Sequence, residues 1–104
     1  MTVVVLPRPR LNGLGEEDMV ALIQHLYRLA ERGFLVEWSR EHNQRGEAYL
    51  AASISTVMIT VMREGGWYAA LGPSGRILAA GRELEDVVPA LCPLSWRCDP
   101  ANDV

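Results

Sequence analysis

The stretch that decides the fold is residues 47–63, EAYLAASISTVMITVMR, which has no proline and no charge between its two ends. Its β-branched residues favour strand over helix. A single strand of this length is improbable, because strands usually run to about 5–6 residues. Apolar residues fall on even numbers over residues 48–54 and on odd numbers over residues 57–61, which predicts a bulge or a strand break near residues 55–56. A helix over residues 47–55 is the competing interpretation.

Turn and strand signals continue on the C-terminal side of this stretch. Gly65 and Gly66 supply the positive φ of a tight hairpin, after which residues 67–71 have the composition of a strand. Residues 72–75, GPSG, predict a second turn before another strand over residues 76–80. A short helix follows Gly81, and Pro89 limits its length.

The N-terminal side predicts one long helix, from about residue 16 to residue 32. Residues 16–18 are acidic, as the helix dipole favours in a first turn, and Gly33 stands where a C-terminal glycine cap belongs. Residues 34–39 then alternate as a half-buried strand, and the β-branched residues 2–6 predict a short edge strand. One apolar stripe runs along the helix, formed by Met19, Leu22, Ile23, Leu26, Leu29 and Ala30.

Together these elements predict an α+β fold. Consecutive strands joined by tight turns give an antiparallel β-meander of about four to five strands, with the helix over residues 16–32 on one face and a short C-terminal helix. A chain of 104 residues suits one domain, here residues 1–98, followed by a flexible C-terminal tail over residues 99–104.

The charge composition excludes several classes of function. The net charge is −3 and the isoelectric point is near 5.3, so nucleic acid is an improbable partner. All ten basic residues are arginine, which excludes the lysine of a P-loop or of a Schiff base. The longest nearly uncharged stretch, residues 48–62, is shorter than the about 20 residues that a membrane helix needs. The chain is thus lysine-free. We expect a cytoplasmic protein that does not associate with membranes.

No set of residues predicts catalysis, a cofactor or a metal site. His25 lies at the border of the helix stripe and His42 in a polar loop, where structural roles explain both. Cys92 and Cys98 lack the close pairing typical of zinc ligands, and their spacing does not bring the histidines near them. They are expected as free thiols in a reducing cytoplasm, with a disulfide or one buried and one exposed thiol as alternatives. We predict that the protein is not an enzyme.

The aromatic residues predict an interaction surface. Trp67 and Tyr68 are neighbours on a predicted strand, so their side chains point to opposite faces of the sheet. If the helix covers one face, one of these aromatics lies on the other face, where tryptophan and tyrosine are common interface anchors. The predicted surface comprises Trp38, Met62, Trp67 and Tyr68. The alternative is that the C-terminal segment with Trp96 covers this second face.

An arginine set gives the alternative function. Arg8, Arg10, Arg40 and Arg45 could follow a phosphate backbone beside exposed aromatics, as in a nucleic-acid-associated regulator. Glu37, Glu41 and Glu47 are interleaved with the last two of them, and surfaces of mixed sign are common on soluble proteins. We therefore favour the interpretation that these arginines belong to an ordinary solvated surface and do not bind nucleic acid.

Residues 59–67, ITVMREGGW, followed by residues 81–88, GRELEDVV, resemble HicB-type antitoxin domains, in which a hairpin precedes a helix. The resemblance covers under half of the chain and lacks the proline-containing core motif of that family. Small immunity proteins of bacterial toxin systems share the strand-rich organisation. Both resemblances imply a bacterial or phage regulator that binds another protein, and neither assigns site residues. We expect a small protein-interaction domain, self-associating as a homodimer, that acts as an inhibitor, immunity or antitoxin-like regulator.

Overall fold

The computed structural model describes residues 12–92 and confirms an α+β meander. One helix precedes five strands, which pair antiparallel in the order in which they occur along the chain. The elements are α1 (Glu16–Glu31), β1 (Val36–His42), β2 (Ala48–Ile54), β3 (Val57–Glu64), β4 (Trp67–Leu71) and β5 (Ile77–Gly81). The predicted strand over residues 2–6 and the predicted tail over residues 99–104 lie outside the described residues.

Helix α1 forms where the apolar stripe predicted it. Its N-terminus has no side-chain cap at Gly15, and the Gly15 N–H instead donates to Asp18 Oδ2 at 2.9 Å. The helix ends at Glu31, and Gly33 adopts a φ of +96°, which lets the chain reverse toward the sheet. Its buried side chains are Met19, Leu22, Leu26 and Leu29.

Residues 47–63 form a two-stranded hairpin, so the alternative of a helix over residues 47–55 is wrong. Ile54 pairs with Val57, which leaves Ser55 and Thr56 as a two-residue turn. Both turn residues have positive φ, 51° and 70°, the backbone of a type I′ turn. The predicted strand break is therefore this turn, where the apolar residues change from even-numbered to odd-numbered positions.

The sheet packs the helix on one face only. Antiparallel partners carry their side chains on the same face, and successive residues alternate between faces. Leu50 pairs with Val61 and Ala52 with Ile59, and all four side chains are buried under α1. The apolar core is built from this face of the sheet and the stripe of the helix.

Two short 3-10 turns stand where the sequence predicted a C-terminal helix. They span Leu84–Asp86 and Val88–Leu91, and Pro89 lies in the first turn of the second. Val87, which lies between the two turns, and Ala90 and Leu91 of the second turn are buried and join the core. The regular helix is lost because proline has no N–H to continue the ladder of hydrogen bonds.

Candidate interaction face

The face of the sheet that points away from α1 is the open face, and it carries exposed apolar side chains. Met58 is 53% exposed, Trp67 49% and Ile77 63%, and they are the exposed large apolar residues on β3, β4 and β5. The pairing register places them on this face, since Met58 pairs with Ser53, and Leu71 pairs with Ile77. Met58 lies near the Ser55–Thr56 turn and Trp67 at the Gly65–Gly66 end, so exposed apolar side chains occur at both ends of this face. Exposed apolar surface of this kind is typical of sites that bind other molecules.

One edge of the open face is acidic. Glu37 and Glu41 on β1 pair with Ser53 and Tyr49, so their carboxylates share the open face. Ser39 lies between them and its hydroxyl donates to Glu41 Oε1 at 3.1 Å. Three successive side chains of β1 on this face are therefore polar, and two of them are negatively charged.

The opposite edge carries a positive charge. The Arg82 guanidinium carbon lies 5.0 Å from the centre of the Trp67 ring, within the range of a cation–π interaction. Arg82 follows directly after β5, the last strand of the sheet. The open face thus carries two carboxylates at β1 and the guanidinium of Arg82 beside Trp67 at the other edge.

A pocket of about 310 Å³ opens between β2 and β3 at the end of the sheet that carries the Gly65–Gly66 hairpin. Tyr49, Thr60 and Met62 line it from the open face, and we call it the Tyr49 pocket. Arg45 and Glu64 also line it, with Arg45 Nη2 3.7 Å from Glu64 Oε1. The pocket combines an apolar interior with an ion pair at its rim.

Of the predicted interaction residues, Met62 and Trp67 lie on the open face. Tyr68 is only 7% exposed, on the face that packs against α1, as expected for the neighbour of Trp67. Trp38 pairs with Ala52, a buried residue, and so lies on the helix side of the edge strand β1, 40% exposed. Tyr68 is therefore not part of the surface that Trp67 forms, whereas Trp38 lines a shallow pocket at the edge of the sheet with Ser53 and Met58.

The Tyr68 hydroxyl connects the sheet to the start of α1. It donates to Asp18 Oδ1 at 2.9 Å, and the Arg63 guanidinium lies 5.0 Å from the centre of its ring. Burial raises the pKa of Tyr68 above its ordinary value, and the hydrogen bond to Asp18 raises it further. The interaction is structural, because it holds the helix N-terminus against β4.

Two arginines of the predicted nucleic-acid set lie among the described residues, and both have carboxylate partners. Arg40 forms an ion pair with Glu16 at the start of α1. Arg45 Nε lies 3.2 Å from Glu47 Oε1, in addition to its contact with Glu64. Arg8 and Arg10 fall outside the described part of the chain.

A second cleft of about 310 Å³ lies where α1 begins, and it is polar. Arg40, His42 and Arg63 line it together with the carboxylates of Glu16 and Glu47, so charges of both signs meet there. Residues 12–92 contain no group of three or more histidine, cysteine or acidic side chains that could hold a metal ion. Cys92 is a half-buried free thiol, and Cys98 lies beyond the described residues.

Met58, Ile77 and Arg82, which lie on the open face, were not singled out from the sequence. The alternation of apolar residues over residues 47–63 already placed Tyr49 and Met58 on the side of the strands away from the core, so a signal for these two residues was present in the sequence. Arg82 and the acidic pair on β1 gave no comparable signal, because their common face follows from pairing between distant strands.

Searches for relatives give no further guide to this face. The chain matches no protein-family model, and it matches no curated protein. It also matches no solved structure. Over the described residues, no helix has the length and apolar character needed to cross a membrane.

Proposed function

We propose that the chain is a small interaction domain that acts by binding another protein molecule on the open face of its sheet. The observation that carries this proposal is the exposure of Met58, Trp67 and Ile77 together on the face opposite the helix. Tryptophan and methionine are enriched in protein interfaces, and flexible methionine side chains adapt to a partner surface. The role we assign is that of an inhibitor, immunity or antitoxin-like regulator in the cytoplasm.

Charge on the open face supports a protein occupant with a defined chemistry. Glu37 and Glu41 repel phosphate groups, whereas positive side chains on a partner would complement them. The partner surface we expect is apolar at its centre and basic where it meets β1. Bonding within the sheet satisfies the backbone of the inner strands, so contact with this face comes from side chains.

Site-specific photo-cross-linking tests this proposal. A benzophenone amino acid at position 58 is expected to cross-link to a protein in cells that produce the chain naturally. The same group at Tyr27, which is 60% exposed on the outer side of α1, is expected to give no product. Absence of any protein product at position 58 would contradict the proposal.

A matched pair of substitutions verifies the cross-linked partner with purified proteins. Ala51→Arg places a long cation in the middle of the open face, and Ala21→Arg places the same side chain on the exposed side of α1. Binding should weaken at least tenfold for A51R and stay within about twofold for A21R, because a long side chain at position 51 blocks close packing over the centre of the face. Equal effects of the two changes would remove the open face as the binding surface.

Nucleic-acid association through Arg8, Arg10, Arg40 and Arg45 remains the alternative proposal. It predicts binding of short DNA or RNA that weakens steeply as salt rises, because phosphate contacts release counterions. Fluorescence anisotropy of labelled DNA or RNA between about 50 and 200 mM salt tests this alternative, because phosphate contacts lose much of their affinity over that range. The ion pairs of Arg40 and Arg45 with carboxylates lower our expectation for this alternative.

A further inference from the structure

We infer that the occupant of the open face is a second copy of this chain, bound so that Trp67 of each copy enters the Tyr49 pocket of the other. This inference rests on the proposed function, since it names the partner of the same face. It depends on three observations about the open face. These are the strand order, the position of Trp67 along the sheet, and the distribution of charge.

The strand order defines which elements a two-fold axis would bring together. Strand β3 is the middle of the five strands, with β2 on one side and β4 on the other. A two-fold axis that lies in the interface and runs along β3 exchanges the two sides. It therefore places β4 of one copy over β2 of its partner, to within the about 30° rotation between packed twisted sheets.

The position along the strands brings Trp67 to the pocket. Trp67 pairs with Glu64 next to the Gly65–Gly66 hairpin, and Glu64 also lines the Tyr49 pocket at that end of the sheet. Rotation about an axis along β3 leaves the position along the strands unchanged. Trp67 of one copy thus lies above the Tyr49 pocket of the other, and a pocket of about 310 Å³ has room for an indole ring.

The charges select this axis over the perpendicular one. A two-fold axis across the strands would place β1 on β1, with the acidic pair Glu37 and Glu41 facing the same pair of the partner copy. The axis along β3 instead places β1 over β5, and Arg82 beyond β5 then meets Glu41, which lies at the same end as Tyr49. Opposite charges therefore face each other at both edges of the interface, which is the isologous arrangement of a symmetric dimer.

The size of the face is consistent with a modest dimer. Five strands about 4.8 Å apart, each with five to eight residues at about 3.3 Å, give a face of roughly 24 by 20 Å. That footprint is roughly 480 Å² on each copy, which is below the about 800 Å² that standard interfaces bury on each partner and is typical of weak, transient complexes. We expect a dimer that forms in the micromolar range and dissociates on dilution.

Sedimentation velocity on the full chain between about 1 and 200 µM tests the inference. The wild type is expected to shift from 11.5 kDa to twice that mass as the concentration rises. Trp67→Ala should raise the dimer dissociation constant at least tenfold, while Ala21→Arg on the outer side of α1 should leave it unchanged. Circular dichroism establishes that each variant is folded.

A charge exchange tests the orientation without removing apolar surface. Glu41→Arg and Arg82→Glu should each weaken the dimer, and the double variant E41R/R82E should recover most of the lost affinity. A monomer at all concentrations, or a dimer indifferent to W67A and to the charge exchange, would overturn the inference. If the chain stays monomeric while position 58 cross-links to a different protein, the proposed function stands and the second copy is excluded.

Discussion

Both faces of the sheet carry apolar side chains, yet they differ in the kind of apolar residue that they carry. On β3, Ile59 is fully buried against α1, whereas its neighbour Met58 is 53% exposed on the open face. The covered face uses branched side chains of fixed shape, such as Ile59, Val61 and Leu50. The open face combines flexible methionines with small residues such as Ala51 and Ala69. Shape-specific packing thus defines the fold, and adaptable surface remains available for a partner.

The largest expected effect comes from adjacent substitutions on β3. Ile59→Ala should lower the free energy of unfolding by about 2–5 kcal/mol, because it leaves a cavity under the helix. Met58→Ala should change it by less than about 0.5 kcal/mol, since the side chain is half exposed. Chemical denaturation of the two variants measures both values. Similar losses would mean that the open face is packed as tightly as the core.

Gly81→Ala should produce the next largest effect. A Cβ at Gly81 would overlap Asp86 Oδ2, and the same oxygen accepts from the Glu83 N–H at 3.0 Å. The overlap should destabilise the chain by about 1–3 kcal/mol. Adding Asp86→Gly should recover part of this loss, because it removes both the carboxylate and the Cβ that the added methyl group would overlap. Strictly additive effects in thermal unfolding would show that the clash is relieved elsewhere.

A gain in stability is expected at the Ser55–Thr56 turn. Both residues have positive φ, which is costly for a β-branched threonine, whereas the Gly65–Gly66 hairpin has glycines at the equivalent positions. Replacing Ser55–Thr56 by Asn–Gly should raise the free energy of unfolding by about 1 kcal/mol. The same denaturation assay applies, and Gly66→Thr at the other hairpin should lower stability. No gain would indicate that the native turn is not strained.

The smallest effect concerns the pH dependence of stability. Burial, helped by the nearby charges of Arg28 and Arg32, lowers the pKa of His25 below its ordinary value of 6.5. The unfolded state then binds a proton more readily than the folded state, so stability present above about pH 6.5 is lost as the pH falls. His25→Gln should flatten this slope between pH 7 and 5. Unfolding curves across that range decide the point, and an unchanged slope would exclude His25 as its source.

Much of the fold follows from local sequence signals. The apolar stripe of α1, the Gly65–Gly66 turn and the opposite orientation of Trp67 and Tyr68 are all properties of short segments, and the structure confirms them. The Ser55–Thr56 turn left two interpretations open because neither residue is typical of a type I′ turn. Pairing with Val36 and its neighbours stabilises β2 there, and that information is not local.

Less of the candidate site than of the fold could be predicted from the sequence. The Tyr49 pocket combines residues from the β1–β2 loop, β2 and β3, and no spacing along the chain predicts their convergence. Trp38 illustrates a different limit, since alternation on β1 already grouped it with Val36 opposite Glu37, but the sequence did not show that β1 is an edge strand. Aromatic content indicated a surface, and the register of the sheet decided which aromatics share it.

The contacts of Asn12 and Gly13 have a consequence for the order of folding. Asn12 Oδ1 accepts from the Gly65 N–H at 2.7 Å across 53 residues, and the Gly13 N–H donates to the Arg63 carbonyl at 2.8 Å. Every strand pairs with its sequence neighbour, so the meander can grow strand by strand through short loops. The segment that leads into α1 makes its bonds to the β3–β4 hairpin only after about two thirds of the chain has been synthesised. During synthesis the helix emerges first, but its docking on the sheet is completed late.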